Sequence, residues 1–303
     1  MASLVNLNLL APPQIIETLE FETIFNERKA QFIALYPVEE RAEVEKTLSY
    51  ESEPIVKLLQ ENSYKEMLLR QRINNAAQAV MLAYATGNDL DVLAVNFNTE
   101  RLIITPADMT TNPITPAVME SDNDFRLRTQ QAFEGITTAG PTASYEYHAR
   151  SADGRIADVA AESPTPAYVV VSVLSRENDG AASNELLTIV EKALNKEHIR
   201  PVGDRVEVRS AEITHYQIIA DLFIYDGPEY ELVLKAAKTK LNEYINTQRR
   251  LGRDIRLSAI YAALMVEGVQ RVVLHEPLSD LVLSESQAAY CTDYRINFGG
   301  YDE

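Results

Sequence analysis

The sequence predicts an α+β protein: an N-terminal helical arm with one long helix, followed by two small mixed α/β lobes. Three observations carry that reading. Apolar residues recur at helical spacing through the first ninety-odd positions. A stretch rich in proline and threonine then breaks the pattern. Beyond residue 121, β-branched and alternating runs take turns with segments that open on capping residues. The chain of 303 residues accordingly divides into an arm (1–98), an extended connector (99–120), a central α+β lobe (121–211), a second α+β lobe (212–276) and a C-terminal tail (277–303).

Taken in order, Pro12 and Pro13 precede Ile15, Ile16, Leu19, Ile24, Phe25, Phe32 and Ile33, a helical spacing that Pro37 ends. Ser52 is placed to cap the next helix, with Glu53 and Pro54 in its first turn, where an acid favours the dipole and a missing N–H costs nothing. The stripe Leu69, Ile73, Ala76, Ala77, Val80, Tyr84 then runs to Thr86-Gly87, and Gly87 is a natural left-handed stop. A helix from Ser52 to Ala85 is about 50 Å long at ~1.5 Å per residue. A rod of that length needs another helix to lie against, in its own chain or in a neighbour. Asn88-Asp89 can cap a short helix with Leu90, Leu93 and Ala94, whereas Arg101 to Val118, with Pro106, Pro113 and Pro116, reads as extended chain.

Ser121-Asp122-Asn123-Asp124 offers caps for a helix through Phe125, Leu127 and Phe133, and Gly140-Pro141-Thr142 opens another that stops at Asp153-Gly154. Tyr168 to Leu174 is β-branched and apolar on both faces, as a central strand requires. Ser183 caps a helix bearing Leu186, Leu187, Val190 and Leu194, and Arg205 to Arg209 alternates as a strand with one wet face. Ile218, Ala220, Leu222 and Ile224 alternate likewise, and Asp226-Gly227-Pro228 turns the chain into a helix of about twenty residues. Ser258 can cap a shorter helix that Gly268 stops, and Val269 to His275 reads as a strand. The two lobes meet near Ala211.

Composition narrows the function classes. With 28 Lys and Arg against 45 Asp and Glu, the net charge of −17 repels phosphate polyanions and anionic headgroups, so neither nucleic acid nor membrane is an expected partner. The single cysteine, Cys291, cannot pair internally and suits folding in a reducing compartment. The first ten residues lack a positive n-region, and no apolar run approaches the ~20 residues that span a bilayer.

Catalytic signatures are missing: there is no GxSxG elbow, phosphate-cradling glycine loop, HExxH or CxxC. His148, His198, His215 and His275 never pair at ligand spacing. The Asp122-Asn123-Asp124 cluster lacks the alternating ligands and turn glycine of a calcium loop, and helix capping accounts for it. Asp89 and Asp91 receive the same reading, and Cys291 has no base beside it in sequence. No catalytic residue, cofactor or metal is expected.

One charge feature stands out. Lys235, Lys238, Lys240, Arg249, Arg250, Arg253 and Arg256 face only Glu243 and Asp254 in an otherwise acidic chain. Such a run is either a solvated helix with cations near its C-terminal end or a docking patch for an acidic neighbour. That neighbour could be another copy's N-terminal region, with Glu17, Glu20, Glu22, Glu27, Glu39, Glu40, Glu43 and Glu45. Candidate interface residues are therefore Leu69, Ile73 and Val80 on the long helix, with Lys238, Arg249, Arg250 and Arg253 in the basic run. On this reading Arg249→Glu with Arg250→Glu weakens assembly more than folding.

The run Leu82-Ala83-Tyr84-Ala85-Thr86-Gly87-Asn88-Asp89-Leu90-Asp91-Val92-Leu93-Ala94 resembles the A-x-G-x-x-L-D-x-L-A signature of the baseplate J family of contractile-tailed bacteriophages. Further matches follow in family order: Ser121 to Arg128, Thr138 to Tyr145 (Pro141 standing for the commoner Thr), Arg200 to Val208, and Gly268 to Val272. One departure is Pro166-Ala167-Tyr168, where many members carry a glycine. The resemblance implies a structural subunit of the baseplate wedge, in a phage or a phage-tail-like bacteriocin. Its copies would form a ring around the tail hub, bundle their N-terminal helices and relay host attachment to sheath contraction. It implies contacts with other copies and with wedge proteins similar to tail protein I and to the lysozyme-like wedge protein W. It also implies assembly in the bacterial host cytoplasm and residence in the virion tail baseplate. Two other classes stay open on the residues alone: a tail-associated hydrolase with a dispersed active site, and an acidic protein-binding or nucleic-acid-associated module.

Overall fold

The computed structural model describes residues 5, 7, 10–11, 13–136, 141–197, 199–226 and 230–301. Positions 12, 138–140, 198 and 227–228, to which the sequence assigns a helix lead, a motif segment, a histidine and a turn, lie outside them. The fold is α+β, as the periodicity predicts, and the chain separates into two compact units, 2–100 and 101–303.

The first unit is helical: α1 (Phe21–Ala34), α2 (Arg41–Thr47), α3 (Pro54–Ala79) and α4 (Gly87–Val95). Its small core joins Phe25, Leu48, Val56 and Leu59. The long helix is shorter than its sequence suggests. It starts at Pro54 with Glu53 as N-cap, not Ser52, and ends at Val80. Tyr84 leaves the stripe because its hydroxyl donates to the carbonyls of Leu10 and Ala11. Gly87 does have positive φ, but it opens α4 instead of closing α3, and Thr86, not Asn88, is the N-cap.

The second unit begins with a hairpin of β1 (Ile103–Thr105) and β2 (Val118–Met119), the extended connector of the sequence reading. Next come α5 (Asp122–Gln131), continued by a 3₁₀ turn to Ile136, and α6 (Thr142–Arg150). Ser121 caps α5 by accepting from the Asp124 N–H, and Ser183 caps α7 (Asn184–Leu194) by accepting from the Leu186 N–H. A three-stranded sheet runs β3 (Ile156–Thr165), β4 (Tyr168–Ser175), β5 (Arg205–Ser210), with β4 central, antiparallel to β3 and parallel to β5. Its inner face packs Val159, Val171 and Val173 against Tyr145 of α6 and Leu186, Val190 and Leu194 of α7. Ala167, in the β3–β4 turn, has φ of 60°, a left-handed geometry that a side chain strains.

A second three-stranded sheet runs β7 (Val269–Glu276), β6 (Glu212–Ile224), β8 (Gln287–Tyr301). Ile218, Ala220, Leu222 and Ile224 point inward onto α8 (Tyr230–Gln248) and α9 (Leu257–Leu264). The α9 N-terminus is capped from afar: the Leu257 N–H donates to Asp280 at 2.8 Å, and Arg256, not Ser258, is the N-cap residue. The segment read as a tail carries β8, which pairs in parallel with the whole of β6. Bulges beside Thr292 and Gly299 shift its register, so its alternation changes phase and escapes a period-two reading.

Candidate functional site

Two surfaces and one joint carry the residues that the sequence singles out. On α3, the inward side holds Val56 and Leu59 together with two polar residues, Ser63 and Asn74. Ser63 donates to the Leu59 carbonyl one turn back, and Asn74 exchanges two hydrogen bonds with the Glu17 backbone, so both are satisfied without water. Glu66 receives Arg28 and Arg70, whose hydrogen bonds hold its carboxyl below the ordinary range. The predicted stripe faces the other way: Leu69 is 65% exposed, Ile73 55% and Val80 69%, and Leu58 continues it at 52%. On a helical wheel at 100° per residue these four fall on one side, well away from Val56 and Asn74.

The basic run splits. Lys235, Lys238 and Lys240 stand exposed on α8, and among the described residues they make no ion pair. Arg250 is committed within its own unit, to the Asp124 carboxylate and the Ala157 carbonyl. Arg249 donates to the Asn178 carbonyl at 2.6 Å and lies over the Tyr290 ring. Arg253 reaches the Thr247 carbonyl, and Arg256 pairs with Asp254 and Asp280. The sequence reading grouped Arg249 and Arg250 with the exposed cations because linear charge density does not show which side chains turn back onto their own fold. With both arginines used internally, Arg249→Glu with Arg250→Glu disturbs the second unit itself and cannot isolate assembly from folding.

The joint lies where the two sheets meet at Ala211. Ala157, Leu174, Ala211 and Ala288 form a small apolar plug, and polar links surround it. Asp124 binds both Arg176 and Arg250, while Asp158 takes Arg150 and the Leu251 N–H. Burial pulls the Asp124 carboxyl upward, but the two guanidinium groups outweigh it and hold the group below the usual carboxylate range. Asp122 pairs with Arg101, so the acidic cluster that the sequence assigns to helix capping also engages arginines.

The remaining candidates are dispersed. His215 faces Asp179 and His275 faces Asp221, each on the sheet surface. Burial raises the Glu146 carboxyl, which accepts the Ala161 N–H within the α6–β3 packing. Burial also pushes the Cys291 thiol up to about 11. Among the described residues, no group of three His, Cys, Asp or Glu side chains is placed to hold a metal, and no helix is long and apolar enough to cross a membrane.

The described surface of this α+β chain is marked by exposed apolar residues on α3 and exposed lysines on α8. Comparison with known sequences identifies the family. Three family models match in order: the baseplate J-like N-terminal domain at residues 51–108, the central domain at 137–210 and the C-terminal domain at 216–297. Baseplate protein J of Escherichia phage P2 is 60% identical over 300 residues, covering 99% of each chain. The chain belongs to the baseplate J-like family. A chain in the six-fold symmetrised cryo-EM structure of the anti-feeding prophage baseplate is also similar, at 15% identity and a TM-score of 0.40. The match covers 60% of this chain and 45% of that one, too distant to inform arrangement.

Proposed function

We propose that this protein is a structural subunit of the baseplate of a contractile phage tail, acting by association and carrying out no chemistry. Membership of the baseplate J-like family and the 60% identity to the P2 protein support the baseplate role. The observation that carries the association reading is the outward apolar face of α3. A helix that buries Ser63 and Asn74 while exposing Leu69, Ile73 and Val80 is built to receive a second helix on its free side.

In this reading copies bundle through α3, form a ring around the tail hub and pass host attachment on to sheath contraction by switching between a closed and a wider ring. The other partners are wedge proteins similar to tail protein I and to the lysozyme-like protein W. The protein is made in the bacterial host cytoplasm and resides in the virion baseplate. The arm, the connector, the central lobe and a second lobe that takes in the segment from 277 onward through β8 are proposed as the functional division. Leu69→Glu with Ile73→Glu tests the reading. Both positions are exposed, so the variant keeps the wild-type melting temperature to within a few degrees. In sedimentation, alone or mixed with the wedge partners, it stays at the monomer mass under conditions where the wild type forms larger species. Wild-type association by the variant would exclude α3 as the contact.

A further inference from the structure

We propose that the groove between α1 and α2 is the seat for the first half of α8 from a second copy of the chain. This rests on the reading that copies associate, and it names which surfaces meet. The groove has a volume of about 540 Å³, with a floor of Phe32, Tyr36, Val44 and Ile55 and with Glu40 and Glu43 at its rim. Leu35 and Val38, 80% and 73% exposed, extend the apolar ground beside it. Arg41 donates to the Tyr36 and Ala34 carbonyls and, among the described residues, makes no ion pair with Glu40 or Glu43. Lys46 lies a turn further along α2 and does not line the groove.

Such a site fits a helix that presents an apolar residue flanked by cations. Glu231 opens α8, and from Leu232 to Lys240 the helix then carries three lysines and no further acid, so its first half has a net positive charge. Leu232 is 64% exposed, while Val233, Ala237 and Leu241 hold the opposite face on the sheet. The lysine stems can cover the aromatic floor while their ammonium groups reach Glu40 and Glu43. The other cations of the basic run are taken up within their own chain, so this half-helix is what remains of the run for a partner. The contact joins two different surfaces, and a repeated head-to-tail contact closes into a ring or runs on as a filament.

The test uses the full chain, with unlabelled and ¹⁵N-labelled protein mixed and treated with a carbodiimide, which joins touching lysines and carboxylates. The expected products are peptides linking Lys235, Lys238 or Lys240 to Glu40 or Glu43, with one partner of each isotope. Lys235→Glu with Lys238→Glu removes them and weakens association at least tenfold, and adding Glu40→Lys and Glu43→Lys restores it. Links confined to a single isotope overturn the proposal, as does a charge-reversed chain that associates like the wild type. The latter result leaves association through α3 standing. A wild-type chain that sediments as a monomer under all conditions, with wedge partners present, overturns both.

Discussion

Helices α3 and α8 are both two-faced, but they use their faces in opposite ways. In α8 the buried side is Val233, Ala237 and Leu241 and the outward side carries lysines, the arrangement expected of a helix laid on a sheet. In α3 the buried side includes Ser63 and Asn74, and the outward side includes Leu58, Leu69, Ile73 and Val80 beside exposed Lys65 and Arg72. An apolar period therefore marks a face that wants covering without saying what covers it. Where the period coincides with burial, it reports the core. Where it does not, it reports an exposed face, the one on which the proposed association rests.

The contrast can be broken by measuring it. Leu241→Ala in α8 empties a fully buried site and costs about 3 kcal/mol of unfolding free energy in urea titration, whereas Leu69→Ala in α3 changes it by less than about 0.5 kcal/mol. Equal losses would mean that α3 packs its stripe inside its own chain. A smaller difference separates two arginines beyond the end of α8. Arg250→Ala leaves Asp124 with Arg176 alone and costs roughly 2 kcal/mol, below the full penalty for orphaning a buried charge, while Arg253→Ala stays within about 0.5 kcal/mol.

The smallest effect is in acid. The folded Asp124 carboxyl lies below its unfolded value of about 3.9, so its stabilisation is complete above that value and is lost as pH falls through the folded one. The stability gap between the wild type and Asp124→Asn therefore narrows from pH 5 downward. A gap of constant size between pH 7 and pH 3 would show that the carboxylate's charge is not what the arginines hold.

Much of the fold is legible because the signals are local. The Ser121 and Ser183 caps, the doubly apolar run at Tyr168 and the alternation at Ile218 each need only neighbouring residues to be read. The misreadings have non-local causes. Tyr84 leaves the α3 stripe to meet backbone more than seventy residues earlier, at Leu10. Asp280 caps α9 from 23 residues downstream. β8 is bulged twice against β6, so its pattern changes phase. The interface set divides in the same manner: Leu69, Ile73, Val80 and Lys238 are exposed as a linear reading supposes, while Arg249 and Arg250 are drawn back by Asn178 and Asp124.

By itself the sequence determined the class of fold, the order of most elements and the family, since propensity, capping and short motifs are properties of adjacent residues. Only the tertiary structure decided which cations stay free and which face of α3 meets solvent. Those depend on side chains brought together from distant positions, where desolvation and pairing, not periodicity, set the outcome.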